Sequence, residues 1–283
     1  PGIYFLNCGI TLFTNDDNYR KNRPFRIGGI MPNIDVLTYG FSLSSNQGNF
    51  GWSTISLLRV NQTHILIDTG PSSRRRLLLS TLNSHGLEPS DIDIVILTHL
   101  HWDHCQNTDL FTNSKILVHP KELDYAKSPK SGDWATVPLI NEILSKMSVN
   151  PVSDGDEVTD GVKIVDTPGH TSGHMSVCVE TEKGNIIVSG DSLSDGGSIT
   201  RGLPQNVFYD KFQATDSIQK MVDKSKIFYP GHDRPFKIGS SSIEYLEGPT
   251  DIEIVNSIGN SDLVGISYKV QRQLETNIEI MQK

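Results

Sequence analysis

Apolar residues in this chain come in short runs separated by turn formers. The runs DVLTYGFSL (35–43), TISLLRV (54–60), HILIDTG (64–70), DIVILTH (93–99) and KILVH (115–119) are each bounded by Gly, Pro, Asn or Asp. Their length and their alternating or continuous apolar character predict β-strands. Between the third and fourth, RRRLLLSTLNSHG (74–86) has an apolar face and closes on Gly86, which predicts a helix ending at a C-terminal cap. The second half repeats the theme: VKIVDT (162–167), MSVCVET (175–181) and NIIVSGD (185–191) are strand-like, with Lys183-Gly184 as a turn. TDSIQKMVDKS (215–225) is an amphipathic helix leading into KIFYPGH (226–232). Two strand-rich halves, each ending in a helix, predict two sheets packed between helices. No low-complexity linker divides them, so a single domain over 1–283 is expected, with an N-terminal extension (1–33), core motifs over 53–240 and a C-terminal tail (250–283). In the tail DIEIVNSI (251–258) is strand-like, and the last residues suit a helix.

Composition narrows the setting. At 36% hydrophobic and 20% charged over 283 residues, the chain is an ordinary globular one, long enough to bury its core. Nothing approaches the roughly 18 consecutive apolar residues of a membrane helix, so no membrane span is expected. The formal charge is −8, and basic residues cluster only at Arg74, Arg75 and Arg76, which disfavours nucleic acid and other phosphate-rich partners. Three scattered cysteines, Cys8, Cys105 and Cys178, make no disulfide framework. With no signal-peptide pattern in the sequence, a reducing, cytoplasmic home is expected. The long N-terminal segment could mediate a homodimer.

The chemistry is concentrated in THLHWDHCQN (98–107), where three histidines and an aspartate fall within the six positions His99–His104. Side chains of an extended segment alternate, so His99 and His101 project to one side and can reach one ion. Asp103 and His104 follow where the chain turns into its next element, and their different directions allow a second metal beside the first. Histidines that merely cluster at a surface are the blander explanation, but four ligand-type side chains directly after a buried strand favour metal. Three more such residues stand at strand exits: His170 after VKIVDT, Asp191 after NIIVS and His232 after KIFY. Seven groups suffice for two ions if one carboxylate bridges, and Asp191 is the candidate bridge.

The segments IDTG, THLHWDH, PGHTSGH, SGD and PGH, in this order between residues 65 and 232, resemble the metallo-β-lactamase fold superfamily. The resemblance implies an α+β, four-layer αββα sandwich: two mixed sheets flanked by helices, with the metals at one edge. It implies that His99, His101 and His170 hold the first metal, Asp103, His104 and His232 the second, and Asp191 both. Asp68 in IDTG would be a hydrogen-bonding support, and His174 would orient the His170 loop. His119 is expected to be packed or capped, Cys105 to be a small buried residue, and Trp102 either to wall the pocket or to pack under the loop. Nitrogen and oxygen donors suit zinc as the default, with manganese, iron or cobalt compatible.

A metal pair of this kind lowers the pKa of a shared water and gives a bridging hydroxide nucleophile, while Asp103 orients it or passes on its proton. That predicts hydrolysis of a lactone or related carboxylic ester. Within the family, the aspartate at 191 differs from the cysteine or serine of metallo-β-lactamases proper, His101 differs from the acidic residue of the oxygen-reducing branch, and the tail lacks the basic helices of glyoxalase II. The nearest group is that of the N-acyl homoserine lactonases. These carry a tyrosine three residues beyond the bridging aspartate, where this chain has Ser194. Tyr209, in RGLPQNVFYDKF, is the candidate to supply that hydroxyl from another direction. Segments 46–52 and 131–138 and the loop after Asp191 should wall the pocket, and their Trp, Phe, Tyr and Leu suit a partly apolar small molecule. An aryl ether, phosphotriester or glutathione thioester is the alternative substrate, and a non-catalytic metal-binding protein the alternative class.

Overall fold

The computed structural model describes residues 31–240, 242–248, 251–256 and 266–271. In it the strand-forming runs make two mixed sheets. The first takes Asn33–Thr38 (β1), Ile55–Val60 (β2), Thr63–Ile67 (β3), Ile94–Ile96 (β4), Lys115–Val118 (β5) and Ser148–Pro151 (β6) in chain order. Its first two pairings are antiparallel and the other three parallel. The second sheet takes Glu157–Thr159 (β7), Val162–Asp166 (β8), Met175–Thr181 (β9), Gly184–Gly190 (β10), Ile227–Pro230 (β11), Phe236–Ile238 (β12) and Ile243–Tyr245 (β13). Only β10 and β11 are parallel there.

Connections explain the pairing sense. Antiparallel neighbours can be joined by a loop at one end, whereas a parallel pair needs a crossover. Arg75–Ser84 (α1) crosses between β3 and β4, Trp102–Cys105 (α2) opens the crossover to β5, and Pro120–Lys127 (α3) and Ile140–Leu144 (α4) lie between β5 and β6. Gly197–Arg201 (α5) and Lys211–Lys224 (α6) lie between β10 and β11.

The layers follow from strand alternation. Leu58, Val60, Ile65, Ile67 and Ile96 of the first sheet pack with Ile164, Met175, Val177, Val179 and Val188 of the second. Their sequence neighbours Leu57, Leu66 and Val95 point the other way, onto Leu78 and Leu82 of α1 and Ile140 and Leu144 of α4. On the far side Ile187, Phe228 and Phe236 pack on Ile218 and Met221 of α6. Helix, sheet, sheet, helix is the expected four-layer order. Each buried Leu, Ile or Val stabilises it by about 1.5–3 kcal/mol relative to exposure.

Several boundaries differ from the sequence expectation. The run 35–43 breaks at Thr38, and Phe41 bridges Trp52 instead. Around the break Gly40 packs so tightly on the Gly231 carbonyl that a Cβ would collide with it. HILIDTG stops at Ile67 because Asp68 turns left-handed, at φ 59. The helix expected from 215 starts at Lys211, since Asp210 caps it by accepting from the Gln213 N–H at 2.9 Å. β6, β12, β13, α3 and α4 have no counterpart in the sequence expectation. In the tail, Asp251–Asn256 (β14) pairs antiparallel with Ile266–Gln271 (β15). The N-terminal extension before residue 31 and the helix expected at the chain's end lie outside the described residues.

Candidate metal centre

The seven candidate ligands all lie at one end of the two sheets. His99 and His101 follow β4, Asp103 and His104 stand in α2, His170 lies between β8 and β9, and Asp191 and His232 follow β10 and β11. Each is at most 8% exposed. His101 is the extended N-cap of α2, at φ −75 and ψ 151, which keeps it on the same side as His99 before the helix turns Asp103 and His104 inward. Their donor atoms form three overlapping groups, each within 4.8 Å: His99, His101 and His170; His99, His104 and Asp191; Asp103, His104 and His232.

Each ring has its tautomer fixed by the nitrogen that faces away. His99 Nδ1 meets the Thr98 hydroxyl at 3.0 Å, and that hydroxyl donates to Asp68. His101 Nε2 donates to Asp133 at 3.3 Å, and His104 Nδ1 to Asp68 at 2.8 Å. His170 Nδ1 donates to the Asn206 carbonyl at 2.8 Å, and His232 Nδ1 to the Trp52 carbonyl at 3.0 Å. With those protons placed, the inward nitrogen of each ring presents a lone pair in the neutral form.

The convergence of acceptors is what fits a cation. His99 Nε2, His104 Nε2 and Asp191 Oδ1 are buried without a hydrogen-bond partner. His104 Nε2 and Asp191 Oδ1 stand 3.2 Å apart without the alignment of a hydrogen bond, and His170 Nε2 faces His101 Nδ1 at 3.0 Å. His232 Nε2 lies 3.1 Å from Asp191 Oδ2 and 3.3 Å from Asp103 Oδ2. Donors about 2.1 Å from a tetrahedral ion stand about 3.4 Å from one another, so these separations match ligands sharing ions. Buried lone pairs set against one another are otherwise costly.

The sequence profile of the Metallo-beta-lactamase superfamily matches residues 49–232. The chain belongs to that superfamily. It is a metallo-hydrolase of the metallo-β-lactamase fold, with lactonases among its relatives. A protein of Methanocaldococcus jannaschii named as a probable metallo-hydrolase is 29% identical over 192 residues, covering 65% of this chain and 89% of the relative. An N-acyl homoserine lactonase from a Bacillus species is 32% identical over 162 residues, 55% of this chain and 62% of the lactonase. The solved structure of a Bacillus thuringiensis AiiA variant, with N-decanoyl-L-homoserine at its active site, shares the fold with a TM-score of 0.60 at 23% identity, over 72% of this chain and 94% of that one.

The motifs of the superfamily have distinct physical tasks in this chain. The Asp68 carboxylate accepts from the Thr98 N–H at 2.8 Å as well as from His104, tying both ends of the HLHWDH loop together. Burial raises its pKa while these donors lower it. His174 holds the other end: its Nε2 accepts from the N–H groups of Asp191 at 3.0 Å and Ser192 at 3.2 Å, while Nδ1 meets Thr167. It therefore positions the Asp191 turn more directly than the His170 loop. The glycine of the PGH segment, Gly231, is required by close approach, since a Cβ there would collide with Asp191 Oδ1.

Two carboxylates had no motif to betray them. Asp133, expected only as pocket wall, holds His101 Nε2, the Thr136 hydroxyl at 2.8 Å and the Tyr125 hydroxyl at 2.9 Å. Burial opposes its ionisation, but His101 and the other donors keep its pKa well below the usual carboxylate range. Glu122, 1% exposed, accepts from the N–H groups of Leu100 and Gly173 at 3.0 Å each and from the Thr171 hydroxyl at 2.8 Å. The remaining histidines stay out of the centre. His119 caps α3 by accepting from Lys121 N–H at 3.1 Å, and His64 and His85 bond the carbonyls of Asp91 and Thr81. Cys105 is a buried core residue whose thiol burial pushes up.

A cleft opens over the ligands, walled by Leu43, Trp102, Trp134 and Phe208 with Asn49 and Gln205 between them. Trp102 is thus a pocket wall. Ser194 lines the cleft and accepts from the Gln205 N–H at 3.0 Å. Tyr209 is not brought into this lining: its ring packs edge-on against Tyr125 at 5.9 Å, with Lys130 Nζ 4.4 Å over its face. Its neighbour Phe208 takes the place on the cleft wall, which strand or helix periodicity could not have announced in a loop.

Proposed function

We propose that this chain is a dinuclear metal-dependent hydrolase that opens lactones or related carboxylic esters, with N-acyl homoserine lactones the first class to test. The observation that carries the reading is the convergence of seven buried donors, three with unpartnered atoms, beneath a mixed apolar and polar cleft. In this reading His99, His101 and His170 hold one ion, and Asp103, His104 and His232 the other. Asp191 serves both, since Oδ1 lies 3.2 Å from His104 while Oδ2 lies 3.6 Å from His170 and 3.1 Å from His232. Two divalent cations, zinc by the donor chemistry, would when bound supply Lewis acidity and water activation near neutral pH.

The chain's own groups do the rest. Asp133, Asp68, and the Asn206 and Trp52 carbonyls hold the outward N–H groups of His101, His104, His170 and His232, so that their inward nitrogens are aimed at the ions. Asp103, on the cleft wall, takes the proton released when water adds to the carbonyl carbon, and returns it to the alkoxide as the acyl carbon–oxygen bond breaks. Leu43, Trp102, Trp134 and Phe208 exclude water and receive an apolar arm. The homoserine lactonase relative supports the lactone class.

Acid release from zinc-loaded protein tests the reading, against short and long acyl homoserine lactones, a simple γ-lactone, an aryl ester, a phosphotriester and a glutathione thioester. Lactone opening that grows with acyl length and is lost in Asp191→Ala is expected. Turnover confined to the aryl ester, the phosphotriester or the thioester would replace the lactone reading with that chemistry, and no turnover of any substrate would sink the hydrolase.

A further inference from the structure

Beside the metal cleft lies a second one, walled by Phe50, Trp52, Pro71, Arg74, Trp102 and Gln106. The two are neighbours in the strict sense, for Asn49, Gly51 and Trp102 line both. The chemistry of this second cleft turns on Arg74. Its neighbour Arg75 is paired through both terminal nitrogens with Asp109, at 2.8 Å each. Among the described residues Arg74 has no carboxylate partner, and its Nε is buried without a hydrogen bond. Burial alone pulls its pKa down to about 10, so the guanidinium stays charged at neutral pH. A half-buried, unpaired cation is costly, and such a cost is offset when an anion arrives.

The geometry around it prepares a recognition site. The guanidinium carbon sits 4.2 Å over the Trp52 ring centroid, an arrangement that occupies one face of the group and leaves its edge donors for a planar acceptor. The ring is itself held, with Nε1 donating to the Tyr39 carbonyl at 2.8 Å. The Trp52 carbonyl accepts from His232 Nδ1 at 3.0 Å, so the aromatic platform and a ligand of the metal centre share one residue.

We propose that this second cleft binds a carboxylate on an arm of the substrate, remote from the bond that is cleaved. Arg74 pairs with the carboxylate, Trp52 and Trp102 flank the apolar stem, and the lactone or ester lies over the metal centre. A carboxylate is favoured over a phosphate monoester because, among the described residues, Arg74 is the only cationic side chain in the lining. The inference rests on the hydrolase reading for the substrate's other end and extends it to a substrate class: carboxylate-bearing lactones or esters.

The test compares a γ-lactone whose side chain ends in a carboxylate with the methyl ester of the same compound, using the zinc-loaded full chain. A preference of at least about tenfold in kcat/KM for the carboxylate is expected at low salt, shrinking as salt rises. In Arg74→Gln the ratio falls to about one, chiefly through KM. Arg74→Met, which keeps the stem on Trp52, serves if the Gln variant does not fold. Equal kcat/KM in the wild type, or equal losses on both compounds in the variant, would overturn the proposal. If neither compound is turned over, the lactone reading fails alone, and titration with 4-phenylbutyrate followed by tryptophan fluorescence still decides this one. A saturable, salt-sensitive change lost in Arg74→Gln supports the site, and the same change in both proteins refutes it.

Discussion

Single side chains divide the donor cluster by charge. Burial first, then neighbouring imidazoles, push His99 and His170 below the ordinary histidine value, His170 to about 4. His104 and His232 behave oppositely: burial opposes their charge, but Asp191 and Asp103 overcome it and hold both above that value. Burial likewise opposes ionisation of Asp191, yet His232 and His104 keep it well below the carboxylate range. Without metal, protons therefore sit on the carboxylate side, where a cation must displace them. A raised pKa keeps the protonated form to higher pH, so competition there sets in early as pH falls, while His99 and His170 remain neutral well below their usual range. The Asp103–His104–His232 group should accordingly lose its ion first. Dialysis against limiting zinc is expected to leave about two equivalents bound at pH 8 and about one at pH 6, counted by atomic emission. Parallel loss of both equivalents would contradict the division.

At the scale of elements, α3 performs a task that its sequence conceals. Its Glu122 carboxylate ties the backbone between His99 and His101 to the backbone between His170 and His174, thus joining a loop of one sheet to a loop of the other. Glu122→Gln keeps the volume but turns one acceptor into a donor among three donors. The expected result is a drop in kcat/KM of about 10–100-fold with weaker metal retention, together with destabilisation of about 1–3 kcal/mol in thermal melts. Wild-type metal content, melting and kinetics together would remove the assigned role. Glu122 also marks the limit of what sequence can disclose. β2 to β5 and β8 to β11 were legible because their apolar runs alternate or persist between turn formers, and the seven donors because each stands at the exit of such a run. Glu122, Asp133 and the Trp52 and Asn206 carbonyls act on partners 22 to 180 positions away, with no local signal at either end. β6 and α4 were hidden similarly, being held mainly by packing on the first sheet rather than by a period of their own.

For the whole molecule, the ligand set spans the interface between the sheets. The first sheet's exits supply His99, His101, Asp103 and His104, and the second's supply His170, Asp191 and His232. Ions held by both sets would clamp the open end of the sandwich, while the closed interior is held by apolar packing between the sheets. The two contributions separate on chelation. An ion present at about a thousand times its dissociation constant stabilises the fold by about 4 kcal/mol, which for a chain of this size moves the melting point by on the order of 10 °C. Chelation is therefore expected to lower Tm by about that amount, and added zinc to restore it. Because the layer formed by Leu58, Ile65, Ile67 and their partners on β9 and β10 is apolar and includes none of the seven donors, the far-ultraviolet circular dichroism at 25 °C should not change on chelation. Loss of that spectrum would show that the metals, rather than the shared apolar layer, hold the sheets together; an unmoved Tm would show that the seven donors bind no ion strongly enough to matter to the fold.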